Sequence, residues 1–158
     1  VHLTRFGFNA LVLTWLIPAI LMDIVGNTIS VGTTSDLYYY KAMFDALLGT
    51  YAVWQLLRGG QTMSRQEAAR KKNDPRDSVV SFDNLGAIEY IYCAVLVLLA
   101  ATSWWFHHDI NKNSEGLISI ATLVWSWLDI AVVIVAAIQF WHLKSGAIVS
   151  VSHKFVEH

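Results

Sequence analysis

The feature that most constrains this chain is a set of four apolar blocks separated by polar segments, at about 6–26, 37–57, 85–106 and 117–141. A hydrocarbon core about 30 Å thick takes roughly 20 residues of helix to cross. In lipid the backbone has no water to bond, so a lone span of this length must close its hydrogen bonds as a helix. The expected fold class is therefore all-α, a four-helix transmembrane bundle forming a single integral membrane domain over residues 1–158. Composition agrees, since 55% hydrophobic against 15% charged residues is too apolar for a soluble domain of this length. The first block is long enough to span and lacks a small-residue cleavage site, so no secretory signal is expected.

Lys and Arg beside the blocks set the expected orientation. The loop over 58–84 carries Arg58, Arg65, Arg70, Lys71, Lys72 and Arg76, the segment over 27–36 carries neither Lys nor Arg, and the third connection has only Lys112. Arg5, Lys144 and Lys154 fall on the side of the basic loop, so both termini are expected on that inner side. The stretch from Arg65 to Lys72 reads as a short surface helix ended by Asp74 before Pro75. Arg65, Arg70, Lys71, Lys72 and Arg76 are expected to enforce topology, with contact to anionic lipid headgroups as their other role, at about 1 kcal/mol each. Tyr38, Tyr39, Tyr40, Trp104 and Trp105 mark the outer interface and Trp54 and Trp141 the inner one, as aromatic belts do.

Every block contains an acid: Asp23, Asp45, Glu89 and Asp129. A carboxylate in lipid costs several kcal/mol unless it is paired, protonated or hydrated. Two readings are open. In the structural one, Lys41 neutralises Asp45 at the i, i+4 spacing, Asp23 and Glu89 meet interfacial water, and Asp129 bonds a neighbouring helix or stays protonated. In the functional one, the acids line a proton or cation path with Asp129 at its centre. Small residues mark faces where helices can approach: Ala42, Ala46, Gly49 and Val53 in the second block, and Glu89, Cys93, Val97 and Ala100 in the third. Pro18 is expected to kink the first helix, and Asn9 and Thr14 offer interhelical bonds.

Other chemistry finds little footing. A net charge of -1 provides no basic field for nucleic acid. The single cysteine, Cys93, has no partner for a disulfide or a CxxC pair, and buried among apolar residues it is expected to be inert. His107 and His108 are read as lying in a polar turn at the outer end of the third block, pointing different ways, so no metal is expected. With no His placed inside a span, neither haem nor any other cofactor is expected, and no catalytic motif is present.

Arg5 opening the first block, YYYKAMFDALLG in the second and DNLGAIEYIYCAVLVLLAA with Glu89 in the third give the chain a topology that resembles MARVEL-type tetraspan membrane proteins. The resemblance implies membrane organisation, scaffolding and lateral association without catalysis. Three function classes stay open: a tetraspan organiser acting on membrane lipids and other transmembrane helices as a homo-oligomer, an accessory subunit of a larger heteromeric respiratory or photosynthetic complex, and a proton or cation conductor.

Overall fold

The computed structural model describes residues 5–58, 61–73, 80–83 and 86–153. Four long helices dominate it: α1 (Arg5–Ile29), α2 (Thr33–Arg58), α4 (Ala87–Asn113) and α5 (Leu117–Ser145), with a short α3 (Arg65–Lys72) between the second and third. Of these, α1, α4 and α5 are long and apolar enough to cross a membrane. The remaining long helix, α2, is less apolar because Asp36, Lys41 and Asp45 interrupt it. Asp74, Pro75, Arg76 and Lys154 lie outside the described residues.

The helices pack as two antiparallel hairpins, α1 with α2 and α4 with α5. Their interior is a cluster of buried apolar side chains that includes Phe8, Val12, Leu16, Leu96, Val132 and Ala136. α1 runs on through Pro18 as a single helix. At Gly26 the α1 backbone lies against the Tyr38 ring of α2, and an added Cβ would overlap that ring. That ring is fully buried against Phe106, with centroids 4.9 Å apart, so it has nowhere to yield. Gly26→Ala is therefore expected to destabilise the protein by about 1–3 kcal/mol, the usual cost of overpacking, seen as a lowered melting temperature in detergent micelles.

After Trp141 the sequence ends in a short mixed stretch, SGAIVSVSHKFVEH, with no chemistry of its own. The chain instead adds a strand there. β1 (Gln61–Ser64), β2 (Val80–Asp83) and β3 (Ile148–His153) make an antiparallel sheet in the order β1-β3-β2. Val151 is opposite Gln61 on one side and Phe82 on the other. Ala68 of α3 packs with Val149 and Val151 in a small core of its own. Gly146, with φ 71°, closes α5 in the left-handed conformation that favours glycine. Arg65 clamps that turn, its Nε donating to the Gly146 carbonyl oxygen at 2.8 Å and its backbone N–H to that of Ala147 at 2.7 Å. The sheet thus joins the long loop and the segment after α5 at one end of the bundle.

The two hairpins repeat one another at positions 84 residues apart, the distance from Asn27 to Asn111. Each turn away from the sheet is clasped alike: the Asn27 amide donates to the Ser35 carbonyl oxygen at 2.8 Å, and the Asn111 amide to that of Ser119 at 2.7 Å. Gly32 and Gly116 supply the positive φ in those turns, at 65° and 68°. Further along, Asp45 corresponds to Asp129, Ala52 to Ala136 and Gln55 to Gln139, and all six are buried. The correspondence reaches β1, which follows the first hairpin as β3 follows the second.

Candidate functional site

Helix geometry brings the polar residues of the long helices inward, because the opposite faces carry the large apolar side chains. In the half of the bundle away from the sheet, Lys41 Nζ lies 3.0 Å from Asp23 Oδ1 and 2.7 Å from Asp45 Oδ2. Both acids are fully buried and Lys41 is 4% exposed. The i, i+4 pairing of Lys41 with Asp45 matches the sequence expectation. Asp23 does not: expected at interfacial water, it is the second anion on the same ammonium. Lys41 Nζ also sits 5.6 Å from the centroid of the Phe106 ring. Nearer the turns, the Tyr38 hydroxyl donates to Asp109 Oδ2 at 2.7 Å. Tyr38 was expected at the interface and is instead buried, while Tyr39 and Tyr40 are exposed.

Asp129 holds together three helices. Its Oδ1 accepts the indole N–H of Trp15 on α1 at 2.7 Å, and its Oδ2 lies 2.5 Å from His107 Nδ1 on α4. Trp125 adds a bond from its indole N–H to the Trp15 carbonyl oxygen at 3.0 Å. Bonding of Asp129 to a neighbouring helix agrees with the structural reading. The placement of His107 is a correction. α4 continues to Asn113 rather than stopping near Phe106, because the polar residues that follow extend the helix, so His107 is a fully buried helical residue. His108 points away and stacks on Trp104 at 5.5 Å. In the repeat, His107 occupies the position of Asp23 and Asp129 that of Asp45. The second hairpin therefore pairs base and acid directly where the first inserts a lysine between two acids.

A second polar layer lies toward the sheet. The Tyr92 hydroxyl donates to Asn9 Oδ1 at 2.8 Å, and Gln55 Nε2 lies 2.5 Å from the Tyr51 hydroxyl oxygen and 3.3 Å from Glu89 Oε1. Asn9 thus makes an interhelical bond, as expected. Thr14 does not, since its hydroxyl donates back to the Ala10 carbonyl oxygen at 2.8 Å. Between the two layers every helix contributes buried apolar side chains: Val12 on α1, Ala52 on α2, Leu96 and Ala100 on α4, Val132 and Ala136 on α5.

The expected small-residue faces fare differently. On α4, Cys93 and Ala100 are buried, with Glu89 and Val97 partly so. On α2, Ala46 and Val53 are exposed and Ala42 and Gly49 only partly covered, because Tyr38, Lys41, Asp45 and Gln55 take the inward face. Trp54, Trp104, Trp105 and Trp141 are exposed. Arg70, Lys71 and Lys72 are exposed on α3, and Arg65 serves the α5 turn.

Four buried side-chain atoms have no hydrogen-bond partner among the described residues: Asp45 Oδ1, Ser103 Oγ, His107 Nε2 and Gln55 Oε1. The first three belong to the layer away from the sheet. A buried polar atom left unpaired costs about 1–3 kcal/mol, so these atoms weigh against the stability of that layer. It gathers three carboxyls, an amine and an imidazole, from Asp23, Asp45, Asp129, Lys41 and His107. Sequence reasoning missed His107, Ser103, Trp15 and Tyr38. For His107 the signal is the repeat of Asn27, Gly32, Ser35 and Asp45 as Asn111, Gly116, Ser119 and Asp129, which sets His107 at the position of Asp23; Ser103, Trp15 and Tyr38 have no such counterpart. No family model, curated protein or solved structure matches the chain.

Proposed function

We propose that this is a four-span integral membrane protein that acts without catalysis, organising the membrane through contacts of its helices with lipid and with further transmembrane helices. The observation that supports this most is the distribution of side chains on α2, the least apolar long helix. Its outward face shows Met43, Phe44, Leu47, Trp54 and Leu57, while its lysine and second acid point inward and neutralise each other. A helix built this way suits lipid on one side and a polar interior on the other. The apolar layer across the middle favours a contact role over through-conduction, and the early acid Glu89 in α4 keeps the MARVEL-type organiser as the form proposed. In this reading the sheet end, with Arg70, Lys71 and Lys72, faces the inner side.

The test uses full-length chain with Cys93→Ala and one new cysteine, either Val31→Cys in the α1–α2 turn or Gln66→Cys on α3. In sealed vesicles a membrane-impermeant maleimide is expected to label the two from opposite sides, and native gels of the unlabelled protein to show a homo-oligomer. Labelling of both from one side would overturn the four-span reading. A monomer would overturn the organiser, and a large heteromeric band would replace it with an accessory subunit.

A further inference from the structure

We propose that the recess where the start of α3 meets the end of α5 binds a phosphate group, and that its occupant in the membrane is the headgroup phosphate of an anionic lipid. The recess measures about 540 Å³ and is lined by Ser64, Arg65 and Gln66 on one side and His142, Ser145 and Gly146 on the other. Sites for small ligands run from roughly 300 to 1,000 Å³, so a headgroup fits. None of the described residues that line it is acidic.

Its donors are held in place by the fold itself. Arg65 gives its Nε–H to the Gly146 carbonyl oxygen at 2.8 Å and its backbone N–H to that of Ala147 at 2.7 Å. Those bonds orient the guanidinium and leave the N–H groups of its two terminal nitrogens without a partner among the described residues. That edge is the one that grips a phosphate through two parallel bonds. Ser64 Oγ accepts the Glu67 N–H at 3.2 Å, so its hydroxyl hydrogen can still be donated. The backbone N–H groups of Arg65 and Glu67 are thereby satisfied, and that of Gln66 remains the open donor in the first turn of α3, where an anion is favoured.

The end of a helix ordinarily repels an anion, because its last carbonyl oxygens are unbonded. At the end of α5 they are covered. The His142 carbonyl oxygen accepts from the Ala147 N–H and from the Ser145 hydroxyl, each at 3.1 Å. That of Leu143 accepts from the Gly146 N–H at 3.2 Å and from the Tyr90 hydroxyl at 2.7 Å. Trp141, exposed and next to His142, sets the level at which α5 leaves the hydrocarbon, so the recess lies at headgroup depth. Only this depth rests on the four-span reading. Arg70 and Lys71 are exposed on α3 outside the recess and attract anionic lipid without selecting a headgroup.

The test is native mass spectrometry of the full chain released from detergent micelles and titrated with phosphatidylglycerol, phosphatidylcholine or sodium phosphate. Phosphatidylglycerol is expected to saturate a single site, and phosphatidylcholine, whose own cation opposes Arg65, to bind more weakly. Gln66→Glu puts a negative charge on the wall without touching the Arg65 clamp, and is expected to weaken phosphatidylglycerol about tenfold or more with an unchanged melting temperature. Arg65→Lys keeps the charge but loses the planar fork, and is expected to weaken it as well. Arg70→Gln/Lys71→Gln is expected to leave the affinity largely as it was. Losses as great in that double variant as in Gln66→Glu, or no loss in Gln66→Glu, overturn the site in favour of diffuse attraction to a basic helix. Sodium phosphate separates the two sources. Phosphate that binds alone and is lost in Gln66→Glu keeps the site and makes free phosphate its occupant, whereas lipid bound where phosphate alone is not assigns it to the headgroup. Binding in detergent does not depend on sidedness or on the number of copies, so its failure leaves the organiser reading standing, and failure of that reading leaves the recess to be judged by this titration.

Discussion

Lys41→Met is expected to be the most damaging single substitution in the long helices. It removes the ammonium held between Asp23 at 3.0 Å and Asp45 at 2.7 Å and leaves two acids fully buried with no cation. Breaking a buried ion pair from one side typically costs about 3–5 kcal/mol, because the stranded charge is worse than no charge. Adding Asp23→Asn and Asp45→Asn to Lys41→Met is expected to restore most of the stability, as replacing a whole buried ionic group is far gentler than breaking it. Reversible unfolding in mixed micelles would measure both. A Lys41→Met protein as stable as the wild type would show that the lysine does not neutralise the pair.

Asp129→Ala is the second large effect. One substitution strips the acceptor from the Trp15 indole N–H and the partner from His107 Nδ1, on two different helices. It also leaves a cavity where a fully buried side chain stood. Two unpaired buried groups at about 1–3 kcal/mol each give a loss of about 2–6 kcal/mol. Asp129→Asn is expected to cost much less, since its carbonyl oxygen still accepts from Trp15 and its amide can donate to a neutral His107. Tryptophan fluorescence of the two variants separates them, with Trp15 reporting loss of its bond only in the alanine form. Equal losses in the two variants would show that volume, not bonding, is what Asp129 contributes.

These two residues also show what sequence could disclose. Asp129 and Lys41 were legible because a charge within a long apolar run demands a partner, and i, i+4 spacing already supplied one. Asp23 was misplaced since distance from a helix end does not reveal whether a lysine on the next helix turns toward it. His107 was hidden by the polar residues around it, which read as the end of a span although they continue α4 to Asn113. The strands were illegible for another reason. QTMS has no alternation and VSFD, which alternates, is only four residues long; both become strands because β3 arrives from the far end of the chain to pair with them. The hairpin repeat was present in the sequence, but its matching residues are few and widely spaced among interchangeable apolar ones, where lipid-facing positions constrain only hydrophobicity.

The central place of β3 governs the order in which the molecule can be completed. β1 and β2 have no contact with each other in the sheet and pair only through β3, which leaves the ribosome after all four long helices. Until then both flanking segments offer open backbone edges to whatever is nearby. A nascent chain arrested ahead of Ile148 would keep its hairpins yet expose those edges, giving quality-control proteases a handle that the finished protein withdraws.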